Sequence, residues 1–367
     1  MAKTKKCCES GIKERLGKVG GQAVLEGVMM KAGERTVTTC RKEDGTIVVN
    51  DGRFVSVRKK HKILNLPILR GVINFVEMMI LSFKTLSISA EALDLDTEKD
   101  KAKKAVGKKT TTDIIMIIGM ILGVALALVL FMYLPGLISD LIEKLFNKAW
   151  DYSINETAKA VIEGVSKIVI FITYLLLVSL MSDIKRTFMY HGAEHKSIAC
   201  FEAGEELTPE NAMKHKRFHP RCGTSFMFVM ILIGVAVGIL LNNLFPDAPR
   251  ILITAIRLLI LPFVVGIGYE FIMFAGKHDN FITRALSAPG LWMQKITTKE
   301  PTEDMLEIAI ISIKCALRDD FPEFNAFYEL KSWEKKDETE AESDEVSEDV
   351  ASEEETPDAE IKENEAE

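Results

Sequence analysis

Ile114–Leu134 reads IIMIIGMILGVALALVLFMYL, 21 residues without a charge, closed by Pro135. At about 1.5 Å per residue, roughly 20 helical residues cross a hydrocarbon core of about 30 Å. The stretch therefore predicts a transmembrane helix. Working outward, three more segments read as spans: Val161–Met181, uncharged from Ile168 onward; Thr224–Leu241, also uncharged; and Ile251–Phe274. The last holds Arg257, Pro262 and Glu270, which predicts a kinked helix or one packed inside the bundle. Ile63–Ala90 is apolar but interrupted by Pro67, Arg70, Glu77 and Lys84. It predicts an interfacial or re-entrant helix pair, with a full span the lesser reading. The expected fold is mainly α, an integral membrane protein of about four transmembrane helices.

Composition supports a segregated chain. Of 367 residues, 48% are hydrophobic and 27% charged, with a net charge of -7 and a mean hydropathy of +0.13. Such hydropathy excludes a polar disordered chain, and its coexistence with so many charges argues against an ordinary soluble enzyme. Residues 334–367 carry 17 acids against 3 bases, a net -14, leaving +7 for residues 1–333. This tail has almost no large apolar residues and reads as a disordered solvating arm.

Lysines and arginines set the expected orientation, because bases are retained on the cytoplasmic side. Lys99, Lys101, Lys103, Lys104, Lys108 and Lys109 precede the first span, and seven bases lie between Lys185 and Arg221. The intervening loop 136–160 holds only Lys144, Lys148 and Lys159. Both termini are expected in the cytoplasm, and no secretory signal peptide is visible. Cys7, Cys8, Cys40, Cys200, Cys222 and Cys315 all fall in the inside segments. There thiols stay reduced, which leaves metal binding or plain burial for them.

Residues 1–62 predict a small antiparallel β subdomain on the cytoplasmic side, with strands at Arg35–Arg41, Thr46–Asn50 and Phe54–Val57. Turns are expected at Glu43-Asp44-Gly45 and Asp51-Gly52. Gly20–Met30 has glycines and Glu26 in an apolar run; it reads either as close backbone packing at strand bends or as a loop lining a site with Gln22 and Glu26. The remaining organisation is a 63–112 segment of interfacial helices and basic linker, a membrane domain 113–276 with cytoplasmic loop 182–223, and a helical region 277–333. Within the last, Pro301-Thr302-Glu303-Asp304 opens an amphipathic helix through Leu306, Ala309, Ile310, Ile313 and Leu317. It is expected to dock on the bundle or the sheet.

Four of the six histidines lie between Tyr190 and Cys222. Tyr190-His191-Gly192-Ala193-Glu194-His195-Lys196 matches H-x-x-E-H, and on a helix His191, Glu194 and His195 project together. Two imidazoles one turn apart can occupy two corners of a tetrahedral site, and a nearby carboxylate can act as general base. Glu202 falls on the same face two turns on. His219-Pro220-Arg221-Cys222-Gly223 offers a further nitrogen and a thiolate from a turn. Arg221 and Glu270 are additional candidates; Glu270 reads as a distant ligand, and its place in an apolar helix also fits an ion pair with Arg257 or a hydrogen bond within the bundle. The alternative for the histidines is helix capping or lipid-phosphate binding beside Arg186 and Lys196. His61 among Lys59, Lys60 and Lys62 reads as a membrane-surface patch, not a nucleic-acid site. His215, between Lys214 and Lys216, reads as a solvated member of a basic run, and His278 as interfacial.

Gly20–Met30, Arg70-Gly71, His191–Lys196, His219–Phe226, Tyr269-Glu270 and Thr297–Pro301 together resemble the YqhQ-like family of bacterial membrane proteins, over about Gly20 to Phe327. The resemblance implies a predicted metal-dependent enzyme of the bacterial cell membrane. Carried onto this chain, it makes His191, His195, His219 and Cys222 candidate ligands and Glu194 the candidate general base. Imidazole with thiolate favours a divalent ion such as zinc. Expected partners are membrane lipids, an anionic headgroup or anionic substrate drawn to the basic surface, and a further copy of the chain. Two other functions compete: a non-enzymatic scaffold binding lipid or a partner, and a small transporter using Arg257 and Glu270.

Overall fold

The computed structural model describes residues 15–93, 111–151, 153–219, 221–246, 248–275 and 281–325. The acidic tail, the Lys99–Lys109 run, Cys7, Cys8, Pro220 and His278 lie outside the described residues.

Four antiparallel strands form a sheet in sequence order, β1 (Val19–Val24), β2 (Gly27–Ala32), β3 (Arg35–Arg41) and β4 (Ile47–Arg53). Glycines at the first hairpin serve close packing: a methyl group added at Gly27 would lie 2.2 Å from the Thr39 carbonyl oxygen. The Glu43–Gly45 turn forms as expected, with Gly45 at φ 85° and the Asp44 carboxylate accepting from the Thr46 N–H at 2.9 Å. Asp51-Gly52 is not a turn. Asp51 pairs with Val37 and Gly52 with Thr36 inside β4, which runs seven residues to match β3. Phe54–Val57 accordingly adds no strand, and Val57–Lys59 closes as a 3-10 turn.

The helices are α1 (Leu69–Ala92), α2 (Thr111–Leu128), α3 (Leu134–Trp150), α4 (Glu156–Val178), α5 (Ser182–Ala203), α6 (Pro209–Lys214), α7 (Gly223–Leu244), α8 (Arg250–Ala275), α9 (Phe281–Thr297) and α10 (Glu303–Ala316). Among the described residues five helical stretches are long and apolar enough to cross a membrane, not four: Leu69–Ala92, Ile117–Trp150, Glu156–Val178, Phe226–Leu244 and Ile251–Phe274.

The additional one is α1. Its residues form one continuous helix instead of a pair, because Pro67 precedes the helix, two of the interrupting charges are satisfied and the third, Lys84, is exposed. Arg70 pairs with Glu270, and Glu77 accepts from the Ser56 hydroxyl and the Val57 N–H. The first predicted span also continues past Pro135. A π-helical stretch, Val129–Tyr133, joins α2 to α3, and Pro135 sits in the first turn of α3, where its missing donor costs least.

The sheet, α5 and α10 share one hydrophobic core containing Val28, Met30, Val37, Ile198, Phe201, Leu306, Ile308 and Ile313. The helix expected from Pro301 is more enclosed than one apolar stripe requires: every residue from Ile308 to Ile313 is buried. Full burial of a large aliphatic side chain stabilises by about 1.5–3 kcal/mol. The Ser312 hydroxyl satisfies itself on the Val28 carbonyl at 2.9 Å.

Away from the sheet, α7 packs against both α4 and α8. A methyl added at Gly164 of α4 would lie 2.6 Å from Val235 of α7. Arg257 of α8 pairs with Glu163 of α4, and its guanidinium donates to Asn242 at 3.2 Å.

Candidate metal centre

Helix α5 supplies the centre of the site. It ends at Gly204, whose φ of 77° gives a left-handed cap that residues with a Cβ adopt at a cost. From Gly192 to Ile198 every residue is buried. A methyl at Gly192 would lie 2.0 Å from the Lys299 carbonyl oxygen, so the chain leaving α9 rests directly on this helix.

That contact positions the first imidazole. His191 Nδ1 lies 2.9 Å from the Thr297 carbonyl oxygen, and His195 Nδ1 lies 2.6 Å from the Arg217 carbonyl oxygen. A carbonyl only accepts, so both rings donate from Nδ1, which in a neutral ring leaves the Nε2 lone pair for a metal. His191 Nε2 is 3.3 Å from Cys222 Sγ. Ligand atoms of His191, His195 and Cys222 all lie within 4.8 Å of one another. The Thr224 hydroxyl donates to Cys222 Sγ at 3.3 Å. Burial lowers the His195 pKa, favouring the neutral ring that a metal requires.

The other expected residues take different places. His219 stands beside this group, its ring 5.6 Å from that of His195. Its main chain is held at both ends by buried Gln294, which accepts from the His219 N–H at 2.8 Å and donates to its carbonyl at 2.9 Å. Glu202 does lie on the histidine face, within 3.5 Å of His219 Nε2 and paired with Arg221. Burial would raise the Glu202 pKa, but His219, the Gly17 N–H and Arg221 together hold it below the usual range.

Glu194 faces the sheet. A methyl at Gly21 of β1 would lie 2.9 Å from its Cγ, and one of its carboxylate oxygens, buried, has no hydrogen-bond partner. Burial raises its pKa to about 7, against the opposing pull of His191.

Gln22 does not line the site: it bonds Ser82 and Thr85 of α1. Glu26 caps the first hairpin and pairs with Arg186 at 2.6 Å, one turn before His191. Lys196 is buried between the Met213 carbonyl and Glu300, so neither it nor Arg186 stands free for a lipid phosphate. Glu270 meets neither the cluster nor Arg257; it takes Arg70 and the Ile68 N–H. Ile68 itself has φ 68°, a strained value for a β-branched residue, pressed where a methyl at Gly266 would be 2.3 Å from its side chain.

Sequence reasoning missed Gln294 and the Arg217 carbonyl, and it marked Thr297–Pro301 as a motif without assigning roles to the Thr297 carbonyl or Glu300. Gln294 carried a faint signal as an uncharged polar residue between Trp292-Met293 and Lys295-Ile296.

A family described as "Protein of unknown function (DUF1385)" matches residues 66–319. The chain belongs to the DUF1385 family. Its matched span holds α1 and every residue of the His191/His195/Cys222 group, but not the sheet that packs on Glu194. The "Uncharacterized protein YqhQ" of Bacillus subtilis (strain 168) is 34% identical over 305 residues, covering 82% of this chain and 92% of the relative. This relative supports the YqhQ-like resemblance of this DUF1385 member. No solved structure matches the chain.

Proposed function

We propose that the protein is a multi-pass protein of the bacterial cell membrane, with a zinc centre on its cytoplasmic face that assists hydrolysis of an anionic, membrane-associated substrate. The observation that carries this reading is the pair of Nδ1–carbonyl bonds, which turn both Nε2 atoms toward Cys222 Sγ. Three donors of this chemistry fit zinc and leave its fourth position open, as catalytic sites require. A bound zinc ion would supply Lewis acidity there. His191, His195 and Cys222 would hold it, and the carbonyls of Thr297 and Arg217 orient the rings. Glu194, with a pKa near neutral, is the group able to hold and release a proton.

Four crossings are favoured by parity. Strand β1 precedes α1, yet it packs directly on α5. Crossings by α1, the α2–α3 stretch and α4 would put sheet and α5 on opposite sides. The α1 helix is the least apolar of the five. One end lies against Gly266 and Tyr269 and its later turns bond Gln22 of the sheet, while Phe75, Val76, Met79 and Ile80 remain exposed. This arrangement suits a half-immersed interfacial helix. Lys60, His61 and Lys62, exposed beside Ile63 and Leu66, would meet anionic headgroups.

A second reading, a non-enzymatic scaffold braced by a structural metal, rests on the enclosure of Glu194 against Gly21 and Met30. Zinc content of the full-length chain, purified in detergent without chelator, tests the first step. Stoichiometric zinc lost in His191→Ala and Cys222→Ala supports the centre, and wild-type protein without metal refutes it. With zinc retained, loss of hydrolysis of chromogenic phosphoesters in anionic micelles on Glu194→Gln favours the enzyme. Zinc without any such hydrolysis favours the scaffold.

A further inference from the structure

We propose that Cys200, Glu205 and His215 form a second zinc site, which shares no ligand with the first and braces the segment leading to Arg217. The cysteine sulfur, a carboxylate oxygen and an imidazole nitrogen of these residues lie within 4.8 Å of one another. This sulfur, nitrogen and oxygen set suits zinc over calcium or magnesium, which take oxygen alone.

The three residues come from places that the fold must hold together. Cys200 lies in the last turn of α5, buried; Glu205 follows the Gly204 cap; His215 follows α6. The α6 helix has six residues, too few to be stable by itself. His215 Nε2 already lies 3.1 Å from Glu205 Oε2, and Cys200 Sγ is 3.5 Å from the Glu206 carbonyl oxygen. On binding, the Cys200 thiol gives its proton to solvent, since a coordinating thiol is deprotonated outright. An ion here staples the return of the chain from α5 through α6.

The position has a consequence for the first site. His215 is two residues before Arg217, whose carbonyl fixes His195 Nδ1. The second ion therefore acts as a positioning element, outside the reacting groups. The bland alternative is a hydrogen-bonded knot without metal.

Zinc per chain, measured on the detergent-purified full-length protein, separates these cases. The expected values are two for wild type, one for His215→Ala and for Cys200→Ser, one for Cys222→Ala, and none for Cys200→Ser combined with Cys222→Ala. His215 is partly exposed, so His215→Ala carries the test if the buried Cys200 variant does not fold. Cobalt substitution gives an independent readout: sulfur-to-cobalt charge-transfer absorption should persist in Cys222→Ala and vanish in the double variant. Unchanged zinc in His215→Ala, or a single wild-type zinc removed wholly by Cys222→Ala, overturns the second site. A single zinc that survives Cys222→Ala and is lost in His215→Ala upholds it while refuting the first centre.

Discussion

His195 donates its Nδ1 proton to the carbonyl oxygen of Arg217, 2.6 Å away and 22 residues later in the chain. The bond fixes the ring's tautomer and aims its second nitrogen at the thiol of Cys222. A loop carbonyl therefore decides what this histidine can do, and the same holds for His191 and Thr297.

Zinc should stabilise the folded chain through this arrangement. At about 100 times its Kd, an ion that binds only the folded state adds about 2.7 kcal/mol. Melting of the detergent-solubilised protein should shift upward with zinc and downward with chelator. In a protein also carrying His215→Ala, the shift should disappear on His191→Ala; persistence there would count against the first centre.

Gln294 holds His219 by two hydrogen bonds in a fully buried setting. Gln294→Ala leaves the His219 N–H without its partner, at about 1–3 kcal/mol, and leaves the His219 carbonyl only the Cys222 N–H at 3.3 Å. The expected outcome is faster hydrogen exchange across 217–224 and zinc binding weakened by about 10–100-fold, the usual scale for outer partners of a metal site. Unaltered exchange would show that the clasp is dispensable.

Glu194 makes stability depend on pH in metal-free protein. Burial raises its pKa from 4.5 to about 7, so between those values the folded state binds more protons than the unfolded one. Stability is then greatest below pH 4.5 as far as this group is concerned, and falls as pH rises toward and through 7. The full loss is about 3 kcal/mol. Glu194→Gln should flatten this component in melts from pH 5 to 8; an identical slope in the variant would refute the assignment.

Gly192→Ala places a methyl against the Lys299 carbonyl. Overpacking of this kind costs about 1–3 kcal/mol. Because the displaced segment follows directly on Thr297, the last residue of α9, a lower melting temperature should come with weaker zinc binding. Destabilisation with unchanged zinc affinity would separate the segment from the ring held beside it.

Sidedness can be read by labelling. Cysteines introduced at Lys60 and Glu205 should react with an impermeant maleimide from the same face of sealed vesicles, and one at Lys148 from the other, each against the wild-type background. Opposite labelling of the first two would mean that α1 crosses.

The sequence made the long apolar helices visible because an uncharged stretch near 20 residues has few other uses. It also exposed His191, His195 and Cys222, through helical spacing and a turn. What it concealed depended on tertiary partners. Arg70 and Glu77 looked like breaks in an apolar stretch, whereas Glu270 and the Ser56–Val57 turn absorb them into one helix. Asp51-Gly52 had the chemistry of a turn but pairs within β4, since register with Val37 and Thr36 outweighs local preference. Glu270, open in sequence between a distant ligand, an Arg257 partner and a hydrogen bond within the bundle, pairs with Arg70 of α1, because charge alone does not reveal which helix lies alongside.

The bond from Ser312 to the Val28 carbonyl joins residues 284 positions apart. At about 5–20 residues per second, ribosomes need about 15–60 s to make the chain between them. For most of that interval the sheet, complete at Arg53, lacks the helix that covers it, and His191, once made, lacks the Thr297 carbonyl. The core and the ligand set therefore reach completion together and late. A ribosome that stalls just after α8 would leave a nascent chain with its apolar helices made and its metal ligands present, with the Arg217 carbonyl available to His195 but nothing to orient His191.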